Sequence, residues 1–375
     1  MSEPFDRERL KELFHLLVEA YTPSGKEEEG VAVLVKRFKK AGIPFRLQRV
    51  EEERENLIVL PQSERPSLLF LGHLDTVVAP DWEEFEWKEK DGRIEGLGTA
   101  DMKGGCAAMA EAYISLWEAG LRDLPVTLAF VVGEEEDGDG TERLLQEWRF
   151  PLALVAEPTN LRPCFSHYGY MEAKVTTEGE RVHASVAPLG VNPIAEMLRL
   201  LLEIISAFKD RKEGIIYNFR DLMSSPSGFA VPEWCEVWID LHLPPLVAPA
   251  PLIYDLEELL RRQREKRSRL KAHLSFTTVH EGYDLPLRGL FYDFFQKAFE
   301  KEGLPFEPDS FRSHSDANLL WREGTRSVLL GPGRLEEAHR RGEGVEWRDV
   351  QAATALFRTL MLQSADLLEG SVPFG

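Results

Sequence analysis

The feature that most constrains this chain is a set of short, uncharged apolar runs, most of which lead into a histidine, an aspartate or a glutamate. Residues 67–71 lead through Gly72 to His73-Leu74-Asp75, and 126–132 lead through Gly133 to Glu134-Glu135-Glu136. Residues 152–156 lead to Glu157-Pro158, and 327–330 are followed by Gly331-Pro332-Gly333 and, six residues on, by His339. Each run is four to seven residues long, rich in Leu, Val, Ala or Phe, and does not alternate. That pattern suits strands buried on both faces of an α/β sheet. In open α/β sheets ligands sit outside the carboxyl ends of the strands, so these residues are expected to converge on one site.

Around the runs, residues 9–20 and 27–41 read as helices separated by the breaker Thr22-Pro23-Ser24-Gly25, and 102–119 as a third. The middle of the chain changes character. Residues 172–177 and 236–242 alternate polar with apolar, as half-exposed strands do. They lie among long helical patterns at 192–209 and 251–271. Residues 166–281 are therefore expected to form a separate α+β unit inserted into an α/β domain made of 1–165 and 282–375. A chain of 375 residues is also longer than one hydrophobic core usually supports.

Composition excludes some partners. A formal charge of −19 argues against nucleic acid, whose phosphates draw on surplus Lys and Arg. The one basic run, 261–271, is interleaved with leucines at helical spacing and reads as a solvated helix face. No stretch approaches the ~20 apolar residues of a membrane span, and the start lacks the basic and apolar segments of a secretory signal. Cys106, Cys164 and Cys235 are scattered without paired spacing. They suit a reducing, cytoplasmic setting and offer neither a disulfide framework nor a zinc knuckle.

Each candidate residue has a bland reading beside the chemical one. His73 and Asp75 are two apart in extended chain and point the same way, so the carboxylate can orient the imidazole of a metal ligand; the alternative is a polar strand end. Asp101 precedes the helix at Met102 and would ordinarily be its N-cap, although the flexible approach Gly96-Leu97-Gly98-Thr99-Ala100 allows the carboxylate to turn inward. Glu134 follows a run that has to be buried, where a carboxylate is either costly or coordinated. Triplets such as Glu27–Glu29 and Glu51–Glu53 read as solvated faces. Glu157, at another strand end, is taken alone an ordinary exposed residue.

Together these segments resemble the metallopeptidase family that includes acetylornithine deacetylase, succinyl-diaminopimelate desuccinylase, aminoacylase and glutamate carboxypeptidase. The resemblance rests on Gly72-His73-Leu74-Asp75-Thr76, Gly98-Thr99-Ala100-Asp101-Met102-Lys103-Gly104-Gly105, Gly133-Glu134-Glu135, Ala156-Glu157-Pro158-Thr159, Val182-His183-Ala184-Ser185 and the late His339, in the family's order. It implies a mixed-sheet α/β catalytic domain of a di-metal hydrolase, with an inserted α+β domain serving as lid and dimerisation element.

It also implies two divalent ions, normally zinc with cobalt as a substitute, bridged by Asp101. His73 and Glu157 would hold one ion, Glu135 and His339 the other. Glu134 would be the general base for a metal-bound water, and Asp75 would orient His73. The three consecutive glutamates leave the register of base and ligand open by one. His183 would stabilise the oxyanion from the lid of a partner subunit, which implies a homodimer. The expected reaction is cleavage of an amide bond in a small N-acyl amino acid; the alternative is a dipeptidase or carboxypeptidase, and a non-catalytic metal-binding relative is a third reading.

Where the family often reads Gly-Gly-Thr/Ser-Asp-Ala, this chain reads Ser313-His314-Ser315-Asp316-Ala317, with larger side chains in place of the glycines. Arg312 and His314 are accordingly the candidate substrate contacts, Arg312 for an α-carboxylate.

Overall fold

The computed structural model describes residues 4–62, 67–79, 86–209, 211 and 213–369. Of these, the residues within Met1–Phe165, Leu285–Phe311 and Ser315–Gly375 form one compact unit, and those within Ser166–Asp284 and Arg312–His314 a second. The sequence reading ended the inserted unit at 281. The unit reaches Asp284 because Tyr283 and Asp284 pair antiparallel with His167 and Ser166.

In the first unit the main sheet runs in the order Arg46–Arg49, Glu55–Val59, Val126–Val131, Leu68–His73, Leu152–Val155, Arg326–Leu329. The last four are mutually parallel, and they are the four apolar runs of the sequence. Successive strand residues point to opposite faces, and all but Arg326 are buried, so both faces of these strands are covered. The first two strands are antiparallel additions at one edge. Parallel strands put every carboxyl end on the same side, so His73 and the residues following Val131, Val155 and Leu329 start from one edge.

The helix Gly104–Glu118 is buried along most of its length and supplies much of this core. Its first turn comes very close to the end of a strand. A Cβ on Gly105 would meet the Ala156 carbonyl oxygen at 2.3 Å. Only glycine permits that approach, which brings the segment before the helix next to Glu157.

The second unit is a four-stranded antiparallel sheet ordered Ile216–Ser224, Trp234–Leu243, Gly169–Glu178, Lys271–His280. Helices Pro193–Lys209 and Pro249–Lys266 cover one face, where Met171, Ala173, Val175, Val237, Ile239 and Leu241 join Met197, Leu200 and Leu256 in a core. The second helix stops at Lys266, since Arg267 leaves helical geometry at φ −126°. The basic stretch expected to be helical through 271 therefore turns into the strand Lys271–His280.

On the opposite face Tyr170 lies directly across from both His242 and His280. The His314 ring packs 5.1 Å from Tyr170 and 5.2 Å from His280, and His167 stacks on Tyr283 at 5.5 Å. Burial holds the His167 imidazole down at about 4 and lowers His242, and it pushes His314 well below its ordinary value, with the neighbouring imidazoles adding to the effect at His167 and His314.

Candidate metal centre at the carboxyl ends of the parallel strands

His73 closes its strand and is 1% exposed. Its Nδ1 lies 3.0 Å from the backbone oxygen of Asp75, and its Nε2 lies 3.1 Å from Asp101 Oδ1. With Nδ1 donating to that carbonyl, Nε2 keeps its lone pair for a ligand, the tautomer that a metal-binding histidine needs. The sequence reading gave this orienting task to the Asp75 side chain. That carboxylate stands 3.6 Å from Nδ1 and is engaged elsewhere. It accepts the backbone N–H of Glu134 at 3.2 Å, that of Glu135 at 3.0 Å, and the Ser24 hydroxyl at 2.7 Å.

Asp101 is not a helix cap. The helix that follows begins at Gly104 with Lys103 as N-cap and no side-chain capping bond. Asp101 sits ahead of it in non-helical backbone, φ −123° and ψ 96°, entered through Gly98 at φ 76°. From there its two oxygens face two imidazoles: Oδ1 faces His73, and Oδ2 lies 3.5 Å from His339 Nε2. His339, itself at φ 58°, also lies 3.0 Å from Glu135 Oε1.

The glutamate triplet separates by burial. Glu134 is buried with Oε2 3.8 Å from His73 Nε2, Glu135 is half-buried against His339, and Glu136 is exposed. Glu157 is 2% exposed, and its Oε1 is buried with no hydrogen-bond partner among the described residues.

The charges explain what this cluster needs. Burial raises the Glu134, Glu135 and Glu157 carboxyls, and neighbouring carboxylates add to it. Burial opposes charge on His73 and His339 too, but the carboxylates beside them outweigh it and hold His339 at about 9. Acidic groups outnumber cations, and a buried carboxylate oxygen without a donor costs several kcal/mol of desolvation, roughly 2–7 for a neutral polar group and more for a charge. Divalent cations fit such a set. The donor atoms of His73, Asp101 and Glu135 lie within 4.8 Å of one another, and mixed imidazole and carboxylate ligands suit zinc.

The remaining candidates lie in the second unit. His183 is exposed, with Nδ1 2.8 Å from the Ser185 hydroxyl. Arg312 is exposed, and His314 belongs to the aromatic cluster beside Tyr170.

Ser24, Lys103 and Asp316 of the first unit were given no role by the sequence reading. Ser24 lies in what read as a mere breaker; the segment pairs with Thr76 through Pro23 and so reaches Asp75. Lys103 is fully buried, donates to the Ala20 carbonyl at 2.8 Å, and is lowered by burial to about 8. Asp316 is buried, and burial lifts its carboxyl to about 7. Only its position after the strand-rich segments, beside His314, signalled it.

The sequence profile of peptidase family M20/M25/M40 matches residues 69–363. A probable succinyl-diaminopimelate desuccinylase of Staphylococcus epidermidis is 31% identical over 206 residues, 52% of this chain and 51% of that protein. The chain thus spans about half the length of the curated desuccinylases it matches. An acetylornithine deacetylase of Proteus mirabilis is 26% identical over 354 residues, 88% of each chain. In fold, the crystal structure of human carnosine dipeptidase 1 superposes with a TM-score of 0.79 at 15% identity, covering 96% of each chain. The matched profile spans every residue of the strand-end cluster from His73 to His339, and the chain belongs to peptidase family M20/M25/M40.

Proposed function

We propose that this chain is a two-metal amidohydrolase that removes the acyl group from a small N-acyl amino acid. The ions would be zinc, with cobalt able to substitute, and the enzyme a cytoplasmic homodimer. The observation that carries the reading is Asp101, whose two oxygens face His73 and His339 separately, as a carboxylate shared between two cations would. The names of the deacetylase and desuccinylase relatives favour acyl removal over peptide cleavage.

His73 and Glu157 would hold one ion with Asp101, and Glu135 and His339 the other. When bound, the ions lower the pKa of water to roughly 7 and polarise the acyl oxygen. Glu134 takes the proton from the attacking water and returns it to the departing amine nitrogen. Asp75 holds the backbone of Glu134 and Glu135 in place through their N–H groups.

The second unit serves as lid and dimerisation domain. Leu202 and Phe229 there are 67% and 87% exposed, apolar area that a second copy of the chain would cover. His183 stabilises the oxyanion in the partner's site, Arg312 pairs with the substrate α-carboxylate, and His314 shapes the pocket as a neutral ring. All three cysteines are free and buried, in keeping with a reducing compartment. Among the described residues no helix is long and apolar enough to cross a membrane.

The test is a screen of zinc- and cobalt-loaded protein against acyl amino acids, their α-carboxamides and dipeptides, with metal content measured in parallel. Turnover of acyl amino acids, lost in the carboxamides, is the expected result. Preference for dipeptides moves the assignment to a dipeptidase. Mixing inactive His183→Ala chains with inactive Glu134→Gln chains is expected to restore part of the activity; no recovery after proven subunit exchange removes the shared-site role.

A further inference from the structure

Four residues past the ligand His339, Glu343 reaches back across the chain to the segment that carries Asp101. Its side chain is 3% exposed. One carboxylate oxygen accepts the backbone N–H of Ala100 at 2.9 Å and of Asp101 at 3.1 Å, and the other accepts that of Gly98 at 3.1 Å. The Glu343 backbone oxygen takes a further donor of the same segment, the Gly96 N–H, at 3.1 Å. The next residues, Gly344–Glu346, pair in register with Arg93–Glu95.

This segment cannot satisfy those donors itself. Asp101 has non-helical backbone, and Gly96 and Gly98 have positive φ, so no local ladder reaches these N–H groups. Buried backbone donors are almost always paired, and here the partner is a single residue 242–245 positions away for the three bonded to its carboxylate. The same loop supplies His339 and the anchor for Asp101. Moving Glu343 therefore shifts Asp101 Oδ1 relative to His73 and Oδ2 relative to His339 together.

We infer that Glu343 is a positioning residue for the metal centre: it fixes the backbone of Asp101 so that the two carboxylate oxygens stand at both cation positions at once. The inference rests on the two-metal reading above and goes beyond it, since Glu343 touches neither cation position. Supporting groups behind metal ligands typically change metal affinity or activity by about 10–100-fold.

Glu343→Gln is the discriminating variant, because an amide matches the carboxylate in shape but turns a donor toward at least one of the three N–H groups. Three readouts are needed: amide exchange in metal-free protein, the dissociation constant of each zinc ion by chelator competition, and the split between kcat and KM. The expected result is faster exchange at Gly98, Ala100 and Asp101, the weaker zinc constant raised about 10–100-fold, and kcat lowered with KM retained.

Zinc constants unchanged from the unsubstituted protein overturn the inference, as does slow exchange at all three amides. If Glu343→Gln does not fold, Glu343→Asp decides, since it keeps the charge but draws the acceptor back by one methylene. A weakened zinc constant in that folded variant supports the inference, and an unchanged one overturns it. Should the unsubstituted protein never bind more than one zinc, the two-metal reading falls first, a result that no Glu343 variant can mimic.

Discussion

At the carboxyl ends of the parallel strands, burial raises the carboxyls of Glu134, Glu135 and Glu157, while Glu135, Asp101 and Glu343 hold His339 at about 9 against its own burial. In the second unit burial does the reverse to His167, His242 and His314, which pack among Tyr170, Tyr283 and one another and are pushed below their ordinary value. One physical cost, that of burying charge, acts on both regions. The carboxylate cluster has more buried charge than its donors offset, a deficit that divalent cations would fill, whereas the buried imidazoles shed their charge and pack as neutral rings. Unshared charge marks the first as a cation site, and the second offers neutral rings instead.

The sharpest way to break that contrast is to remove the carboxylate proposed as base rather than ligand. Glu134→Gln is expected to lower turnover by about 10²–10⁴-fold while leaving metal content nearly unchanged. Steady-state kinetics with elemental analysis checks both halves. Loss of a metal from this variant, with both retained in Glu135→Gln, shifts base and ligand by one position.

Metal removal separates the two regions directly. A ligand present at ~1,000 times its Kd stabilises the folded state by roughly 4 kcal/mol. Chelation is therefore expected to lower hydrogen-exchange protection of Leu68–His73 and Val126–Val131 in the first unit, with little change in Gly169–Glu178 of the second. Equal loss in both strands would mean that the second unit depends on the metals as well.

Acid acts the other way round. His167 faces the imidazoles of His242 and His280 and the carbonyl of Tyr168, and stacks on Tyr283. Its folded-state pKa of about 4 lies below the ordinary 6.5, so between these values the unfolded chain takes up a proton that the folded one refuses. Stability is full above about pH 6.5 and falls as pH drops toward 4, by on the order of 3 kcal/mol for this group. Urea titrations at pH 7 and pH 5 measure the loss. In His167→Phe, which keeps a stacking ring but cannot titrate, the slope is expected to flatten.

Legibility in the sequence followed the same divide. The parallel strands were plain because strands buried on both faces read as unbroken apolar runs, and their carboxyl ends pointed to His73, Glu134, Glu135 and Glu157. The change to alternating strands falls within the second compact unit. The edge strand Ile216–Ser224 was not legible, since it is largely exposed and carries Asn218, Arg220 and Asp221. Lys271–His280 was not read as a strand: the helical pattern was carried to 271, past the true end at Lys266, because Leu270 continues the helical spacing. Ser24 and Glu343 left no signal at all. One bonds a carboxylate from within a turn and the other bonds backbone N–H groups far away, and neither contact selects a partner residue type that spacing could reveal.

The smallest expected effect tests how each region tolerates an isostere. Asp75 accepts three hydrogen bonds through two oxygens: Glu134 N–H on Oδ1, and Glu135 N–H with the Ser24 hydroxyl on Oδ2. Ser24→Ala removes one donor and leaves both backbone N–H groups held, so zinc affinity is expected to fall by less than about 10-fold. Asp75→Asn keeps the shape but presents an amide NH2 to one of the backbone donors, so one bond becomes a repulsion and the backbone of the base or of the ligand is released. Its loss of zinc affinity is expected to exceed that of Ser24→Ala. Measured together with His167→Phe, the series asks whether donor and acceptor identity governs the first unit while ring shape governs the second. An Asp75→Asn protein that binds zinc as tightly as Ser24→Ala would mean that the Asp75 backbone oxygen, through His73 Nδ1, carries the orienting role without its side chain.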